Sequence, residues 1–258
     1  MTPVPRRPRP AEALTSDAWY TLLYITTAER RALAGRRRRI WCEPLVARGH
    51  SRAAALELLA RRDRWTRAIE AEGRTPTVRE QLRQLALWAG RRLPTDDLAR
   101  ELDATLLRAR LQLAPGAMTA VRRLGEAGVP LGIVSNVLNE SGHAARTILE
   151  RLGLLPWFRA VVLSCEHPWA KPAPEPFELA ARFLGVPRAR TAHIGDLAYD
   201  VVGARRAGLQ AWWYVGLRRW NRYLPGQVAP GAVRPAETIA SWRSVPARLL
   251  TSARAAPG

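Results

Sequence analysis

Thr191-Ala192-His193-Ile194-Gly195-Asp196-Leu197-Ala198-Tyr199-Asp200 reads as an apolar strand, Thr191 to Gly195, ending in a loop that carries two aspartates. A helix from about Tyr199 to Ala207 and a strand from Gln210 to Val215 follow it. Upstream, the same alternation repeats. Pro115-Gly116 opens a helix to about Ala127, Gly128 and Pro130 punctuate it, and the apolar strand Leu131 to Ser135 comes next. Then come a helix of about Gly142 to Leu152, a strand Ala160 to Ser164 and a helix of about Pro176 to Phe183. Strands alternating with helices of this length predict an α/β fold, a parallel sheet with helices on both faces. The strands are near-continuous apolar runs, as strands buried on both faces must be.

N-terminal to this series the pattern changes. Residues 1–11 are rich in proline and arginine and are expected to form a disordered arm; Glu12 to Asp17 reads as a short, rather polar strand. Residues 26–112 are almost entirely helical in pattern. Arg52 to Glu72, Thr77 to Ala89 and Thr95 to Leu111 carry apolar residues at three- and four-residue spacings. Thr95-Asp96-Asp97 places acidic groups in a first helical turn. The expected organisation is a core made of 12–25 and 113–250, a helical insertion over 26–112, and a frayed tail over 251–258. Late in the core, a Pro/Gly-rich loop from Pro225 to Pro235 precedes a strand Thr238 to Trp242 and a helix of about Val245 to Leu250.

Hydrophobic residues make up 47% of the 258, enough for a sizeable core. No apolar run reaches the roughly 18 residues that cross a bilayer, so no membrane partner is expected. The first ten residues lack the apolar stretch of a secretory signal, and the expected location is the cytoplasm. Cys42 and Cys165 are too few for a disulfide framework and show no metal-ligand spacing. A net charge of +19 invites a nucleic-acid reading. The arginines are spread along the chain among alanines, however, and only Arg36 to Arg39 and Arg218-Arg219-Trp220-Asn221-Arg222 look concentrated. Those are read as solvated faces, so no specific nucleic-acid partner is expected. The charge favours a small anionic substrate and salt-sensitive contact with polyanions. The sequence leaves monomer and homodimer equally open.

Among forty-one basic residues there is a single lysine, Lys171, in Ala170-Lys171-Pro172. Its survival in so arginine-rich a chain marks a place where a compact ammonium is needed and a planar guanidinium will not fit. Asp17, Ser135 with Asn136, and the pair Asp196 and Asp200 each lie at a strand's C-terminal end. Open α/β sheets bind ligands along that edge. Asp17 is suited to act as a nucleophile, attacking an electrophilic phosphorus or carbon to form a covalent intermediate. A phosphate dianion would then need its charge neutralised by Lys171 and a divalent cation, with the Ser135 hydroxyl and nearby N–H groups holding its oxygens. Asp17 and Asp196 are hard oxygen ligands of the kind Mg²⁺ prefers. Asp200, one turn beyond, is placed to hold a metal-bound water or to orient Lys171. In this arrangement Asp17 faces Lys171 across room for one tetrahedral group.

The set resembles the haloacid dehalogenase superfamily. Four signature segments appear in order: Asp17 to Leu22, Pro115-Gly116-Ala117 through Asn136, Lys171-Pro172 with Glu175-Pro176-Phe177, and Gly195-Asp196 with Asp200 and Gly203-Ala204. They cover roughly residues 12–25 and 113–216. The resemblance implies a three-layer Rossmann-like core with a helical cap inserted after the first segment. It implies Asp17 as nucleophile, Ser135 and Lys171 as phosphate anchors, and Mg²⁺ held by Asp17, Asp196 and the backbone carbonyl of Trp19. The activity implied is hydrolysis of a small organic phosphate through an aspartyl-phosphate.

Two residues depart from the phosphatase pattern of that superfamily. Trp19 stands where phosphatases carry a second aspartate as general acid and base, and losing such a group costs about 10²–10⁴ in rate. Tyr20 stands where they carry glycine, so a loop of different shape is expected. An aromatic at position 19 is similar to the 2-haloacid dehalogenase branch, which attacks carbon without metal; Gly195-Asp196 with Asp200 is the metal-binding form. A dehalogenase-type hydrolase, and a relic that binds a phospholigand or partner without turnover, therefore stay open as alternatives. Trp19 and Tyr20 are placed either to shape a substrate pocket or to pack into the core. His193 is expected to be a satisfied core histidine, and Trp212-Trp213 core or interface.

Overall fold

The computed structural model describes residues 10–217 and 235–253. Its centre is a six-stranded, all-parallel sheet. The strands are β1 (Ala13–Ser16), β4 (Leu131–Ser135), β5 (Ala160–Leu163), β6 (Thr191–Gly195), β7 (Gln210–Tyr214) and β8 (Glu237–Ile239). They lie in the order β5-β4-β1-β6-β7-β8. From β1 the chain builds outward through β4 to β5, then returns to the other side of β1 and builds outward through β6 to β8. The reversal falls between β1 and β6, where Leu14 pairs with Ala192 and Ser16 with Ile194. Connections leaving these two strands diverge and open a crevice at their C-terminal ends.

Helices α5 (Ala117–Glu126), α6 (Gly142–Arg151), α7 (Glu175–Leu184), α8 (Ala198–Arg206) and α9 (Val245–Ala253) accompany the sheet. Leu124, Leu131, Ile133, Ile194 and Trp242 sit in one buried cluster, and Val134, Val162, Phe177 and Val201 in another. β1 is more buried than its polar sequence predicts, because its hydroxyls are satisfied internally. Thr15 contacts the Ala192 carbonyl at 3.2 Å and His193 at 2.9 Å, and Ser16 donates to the Asp17 carbonyl at 2.7 Å.

Four consecutive helices, α1 (Thr27–Val46), α2 (Arg52–Ala71), α3 (Val78–Ala89) and α4 (Thr95–Leu107), are threaded between β2 (Leu23–Tyr24) and β3 (Gln112–Leu113). Those two strands form a small antiparallel ribbon that closes the base of the insertion. The helices bury a cluster of their own around Trp41, Leu45, Leu82, Leu85 and Leu102. Side-chain caps at Thr26, Ser51 and Thr77 start the first three. Thr77 and Glu80 form a reciprocal capping box.

Several expectations need correction. The arm expected over 1–11 ends earlier, since Ala11 is buried in the main core; residues 1–9 lie outside the described residues. The tail expected from 251 is helical through Ala253 as the end of α9. The last strand is Glu237–Ile239, and Trp242 lies beyond it in a short 3₁₀ turn, where its indole donates to the Thr21 carbonyl at 2.7 Å. The Arg218–Arg222 stretch and most of the Pro225–Pro235 loop lie outside the described residues. Arg37 is not a solvated charge: it pairs with buried Glu140 at 2.7 Å. No helix among the described residues is long and apolar enough to cross a membrane.

Candidate active site

β1 delivers Asp17 directly beyond its last residue, with the Asp17 N–H donating to the Ile194 carbonyl at 2.9 Å. The following loop turns back at once: the N–H groups of Leu22 and Leu23 both donate to the Ala18 carbonyl. Tyr20 has φ 54°, the left-handed region. The turn that would suit glycine is thus kept, with tyrosine in it, contrary to the expected change of loop shape. Left-handed backbone costs a β-carbon roughly 1–2 kcal/mol. Three hydrogen bonds hold the turn, including Tyr20 N–H to the Leu23 carbonyl at 2.7 Å. Trp19 is half-buried, packs on the main core and lines a small cavity of ≈ 10 Å³ beside Ser135 and Val137.

The Lys171 ammonium donates to Asp17 Oδ1 and to Asp200 Oδ1, each at 2.6 Å, and all three side chains are buried. There is therefore no gap for a tetrahedral group between Asp17 and Lys171. Charges taken out of water recover their desolvation cost only by close pairing, and the pair closes accordingly. Asp196 completes the set. One oxygen from each of Asp17, Asp196 and Asp200 lies within 4.8 Å of the others. Asn136 fixes the lysine loop from both directions, its amide nitrogen donating to the Lys171 carbonyl at 3.0 Å and its oxygen accepting the Lys171 N–H at 2.9 Å. Ser135 is buried, and its hydroxyl makes no hydrogen bond of normal geometry, although it lies near enough to favour the Asp17 carboxylate. The structure thus brings Asp17, Trp19, Ser135, Asn136, Lys171, Asp196 and Asp200 to one edge of the sheet, with Tyr20 shaping the loop.

Burial dominates the electrostatics. It pushes Asp17 up to about 6; Lys171 pulls against the rise and Asp200 adds to it. Asp196 is lifted well above the usual carboxylate range by burial and then by the charges of Asp17 and Asp200. Burial would raise Asp200 too, but Lys171 and His193 overcome it and hold it below the ordinary value. For Lys171, burial opposes the ammonium, and Asp17 and Asp200 outweigh it, so it stays charged. Three carboxylates against one ammonium leave a formal charge of −2, which a divalent cation would balance. Hard oxygens, close spacing and this charge suit Mg²⁺.

His193 is the satisfied core histidine that the sequence suggests, whereas Thr21, Ser164 and Leu197 carried no sequence signal of a role at the site. His193 is lowered by burial. A neutral ring with its proton on Nε2 satisfies both neighbours, donating to Asp200 Oδ1 at 3.2 Å while Nδ1 accepts from Thr15 at 2.9 Å. The Leu197 N–H donates to Asp200 Oδ2 at 2.9 Å. Asp200 is thereby engaged on both oxygens. Thr21 donates to Asp196 Oδ1 at 3.3 Å, Trp213 to the Asp196 carbonyl at 2.9 Å, and Ser164 accepts the Val137 N–H at 2.9 Å. Gly195 must be glycine, since a β-carbon there would lie 2.1 Å from Asp200 Cγ. A cavity of ≈ 720 Å³ lies between α2, α3 and the 165–168 segment, and none of the clustered side chains lines it.

Comparison with known proteins gives the family and the fold. A family model of haloacid dehalogenase-like hydrolases matches residues 13–208. The chain is 32% identical over 95 residues to (S)-2-haloacid dehalogenase 2 of Pseudomonas sp. strain CBS-3, covering 37% of this chain and 40% of that protein. It is 37% identical over 97 residues to a phosphoglycolate phosphatase of Rhodobacter capsulatus, covering 38% and 42%. These matches span less than half the length of the curated relatives. The fold is shared with the hydrolase YfnB of Bacillus subtilis, solved bound to magnesium, at TM-score 0.61 and 21% identity over 93% of this chain and 99% of that one. With the family model spanning four of the six strands, the carboxylate cluster and the inserted helices, the chain belongs to the haloacid dehalogenase-like hydrolases.

Proposed function

We propose that the chain is a Mg²⁺-dependent hydrolase of small organic phosphates that works through an aspartyl-phosphate on Asp17. The observation that carries this reading is the Lys171 ammonium bonded to Asp17 and Asp200 at 2.6 Å each, beside Asp196. Such a set has one permanent cation and an excess of hard carboxylates, which suits a dianionic group arriving with a divalent cation. Asp17, Asp196 and the Trp19 carbonyl would hold Mg²⁺; the similarly folded YfnB was solved bound to magnesium. An ion held there would neutralise charge on the phosphate oxygens.

The chain's own residues do the rest. Asp17, ionised at neutral pH with a value about 6, attacks phosphorus. Lys171 shifts from Asp17 toward the entering phosphate while Asp200 keeps hold of it. The Ser135 hydroxyl, buried near the Asp17 carboxylate, donates to a phosphate oxygen. Asn136 keeps the lysine loop in place. Tyr20 and the four inserted helices, acting as a cap, exclude water and select the substrate. A phosphatase relative of 37% identity supports phosphorus as the target.

Trp19 and the 32% identical haloacid dehalogenase favour a second reading, metal-free attack on the carbon of a 2-haloacid. Phosphate release from p-nitrophenyl phosphate and a panel including phosphoglycolate, with and without Mg²⁺, separates the two. Mg²⁺-dependent release that vanishes in Asp17→Asn supports the phosphatase. Chloride release from 2-chloropropionate without metal, and no phosphate release, would replace it with the dehalogenase.

A further inference from the structure

Phosphate ester hydrolysis needs a proton donor when the alkoxide leaves and a proton acceptor when water attacks the phospho-aspartate. Trp19 occupies the position expected to supply both, and indole only donates a hydrogen bond.

The inserted helices bring the end of α2, which carries a glutamate in its last turn, to the same edge. α2 ends on the lysine loop, where the Gly73 carbonyl accepts the Ala170 N–H at 2.6 Å, one residue before Lys171. The approach is close enough that a β-carbon on Gly73 would lie 3.0 Å from the Ala173 β-carbon. Glu70 stands in the last turn of α2, just before this contact, and is half-buried. The Tyr199 phenol, in the first turn of α8 between Asp196 and Asp200, is raised by burial and then by the negative charge of Glu70. The other half-buried insertion carboxylates are committed elsewhere: Glu29 to Arg36, Asp63 to Arg62, Asp103 to Ser141. Glu70 forms no salt bridge among the described residues.

We propose that Glu70 is the general acid and base of the reaction, contributed by the insertion in place of the carboxylate missing at Trp19; this rests on the phosphatase reading above. In the first step Asp17 attacks phosphorus, the P–O bond to the organic group breaks, and the leaving oxygen takes the Glu70 proton. In the second step Glu70 takes a proton from water, the water oxygen bonds to phosphorus, and the bond to Asp17 breaks to release phosphate. Glu70 ends protonated, as it began. Burial lifts its carboxyl to about 7 against the pull of Arg67, one turn earlier on α2. Arg67 acts on it electrostatically, and it acts in turn on Tyr199. Both protonation states are therefore populated near neutrality, as a group that gives and then takes a proton requires.

The test compares wild type with Glu70→Gln and Glu70→Asp in the full chain with Mg²⁺, using p-nitrophenyl phosphate and an alkyl phosphate such as phosphoglycolate. p-Nitrophenolate leaves without a proton, so Glu70→Gln should give a burst of nitrophenol, an accumulating phospho-aspartate and slow turnover. Alkyl phosphate turnover should fall about 10²–10⁴-fold, and the pH–rate limb near neutrality should disappear. Glu70→Asp should recover part of the rate. Equal losses on both esters without a burst, or equal losses in both variants, would mean a packing role and overturn the proposal. A wild type inert toward both esters overturns the phosphatase reading and this one with it; an active wild type matched by Glu70→Gln overturns this one alone.

Discussion

At the C-terminal edge of the sheet the buried residues are Asp17, Lys171, His193 and Asp200, bonded to one another. In the inserted helices they are Trp41, Leu45, Leu82, Leu85 and Leu102, packed on one another. Both regions are closed to water, but they respond differently to the loss of one member. Removing a partner from the first leaves a charge stranded in low dielectric. Removing one from the second leaves a void that neighbours partly fill. Losses at the sheet edge should therefore depend on side-chain type, and losses in the helices on volume.

The largest expected effect is at Lys171. Lys171→Met strands Asp17 and Asp200, and breaking a buried pair this way costs about 3–5 kcal/mol. Lys171→Arg should not restore it, because a planar fork cannot occupy a site where two carboxylates meet one point charge 2.6 Å away. Urea unfolding at neutral pH reads the loss. If Lys171→Met unfolds at the wild-type midpoint, the contrast between the regions fails at its strongest point.

In the helices, Leu85→Ala should cost about 2–5 kcal/mol, since Leu85 is fully buried. Leu85→Met, nearly equal in volume, should cost under about 1.5 kcal/mol. The contrast sharpens if size alone ranks these variants while size fails to rank those at position 171.

The same contrast explains what the sequence revealed. Leu131–Ser135 and Thr191–Gly195 were legible as strands because burial on both faces leaves only apolar choices. Lys171 was legible because a chain with every other lysine replaced keeps one only where its chemistry is needed. α1 was poorly legible: it carries Arg36–Arg39 and an internal Pro44, and buries only a few residues along its 20. The lining of the site was harder still. Thr21, Ser164 and Trp213 act through single hydrogen bonds to residues 175, 27 and 17 positions away. No local pattern marks such a bond. Asp200 was legible as a group placed to hold a metal-bound water or to orient Lys171, but not that His193 and Leu197 would occupy its oxygens.

Glu140 joins the two regions and belongs to both kinds. It follows β4 on the sheet side, is buried, and pairs with Arg37 of α1 at 2.7 Å. Burial raises its carboxyl above the usual range, with Arg37 opposing and Asp103 adding to the rise. A carboxyl raised in the folded state holds its proton where the unfolded chain has released it. Stability therefore falls as pH climbs from the ordinary glutamate value through the raised one, and levels off above it. Glu140→Gln should flatten that part of the curve, so that the variant gains on wild type as pH rises through this window. The change should be smaller than at Lys171, because Arg37 remains partly exposed and can turn to solvent. Melting temperature against pH for the two proteins measures it. A wild-type curve parallel to that of Glu140→Gln would mean that Arg37 fully compensates burial, and that the joint between helices and sheet is an ordinary surface ion pair rather than an extension of the buried charge network.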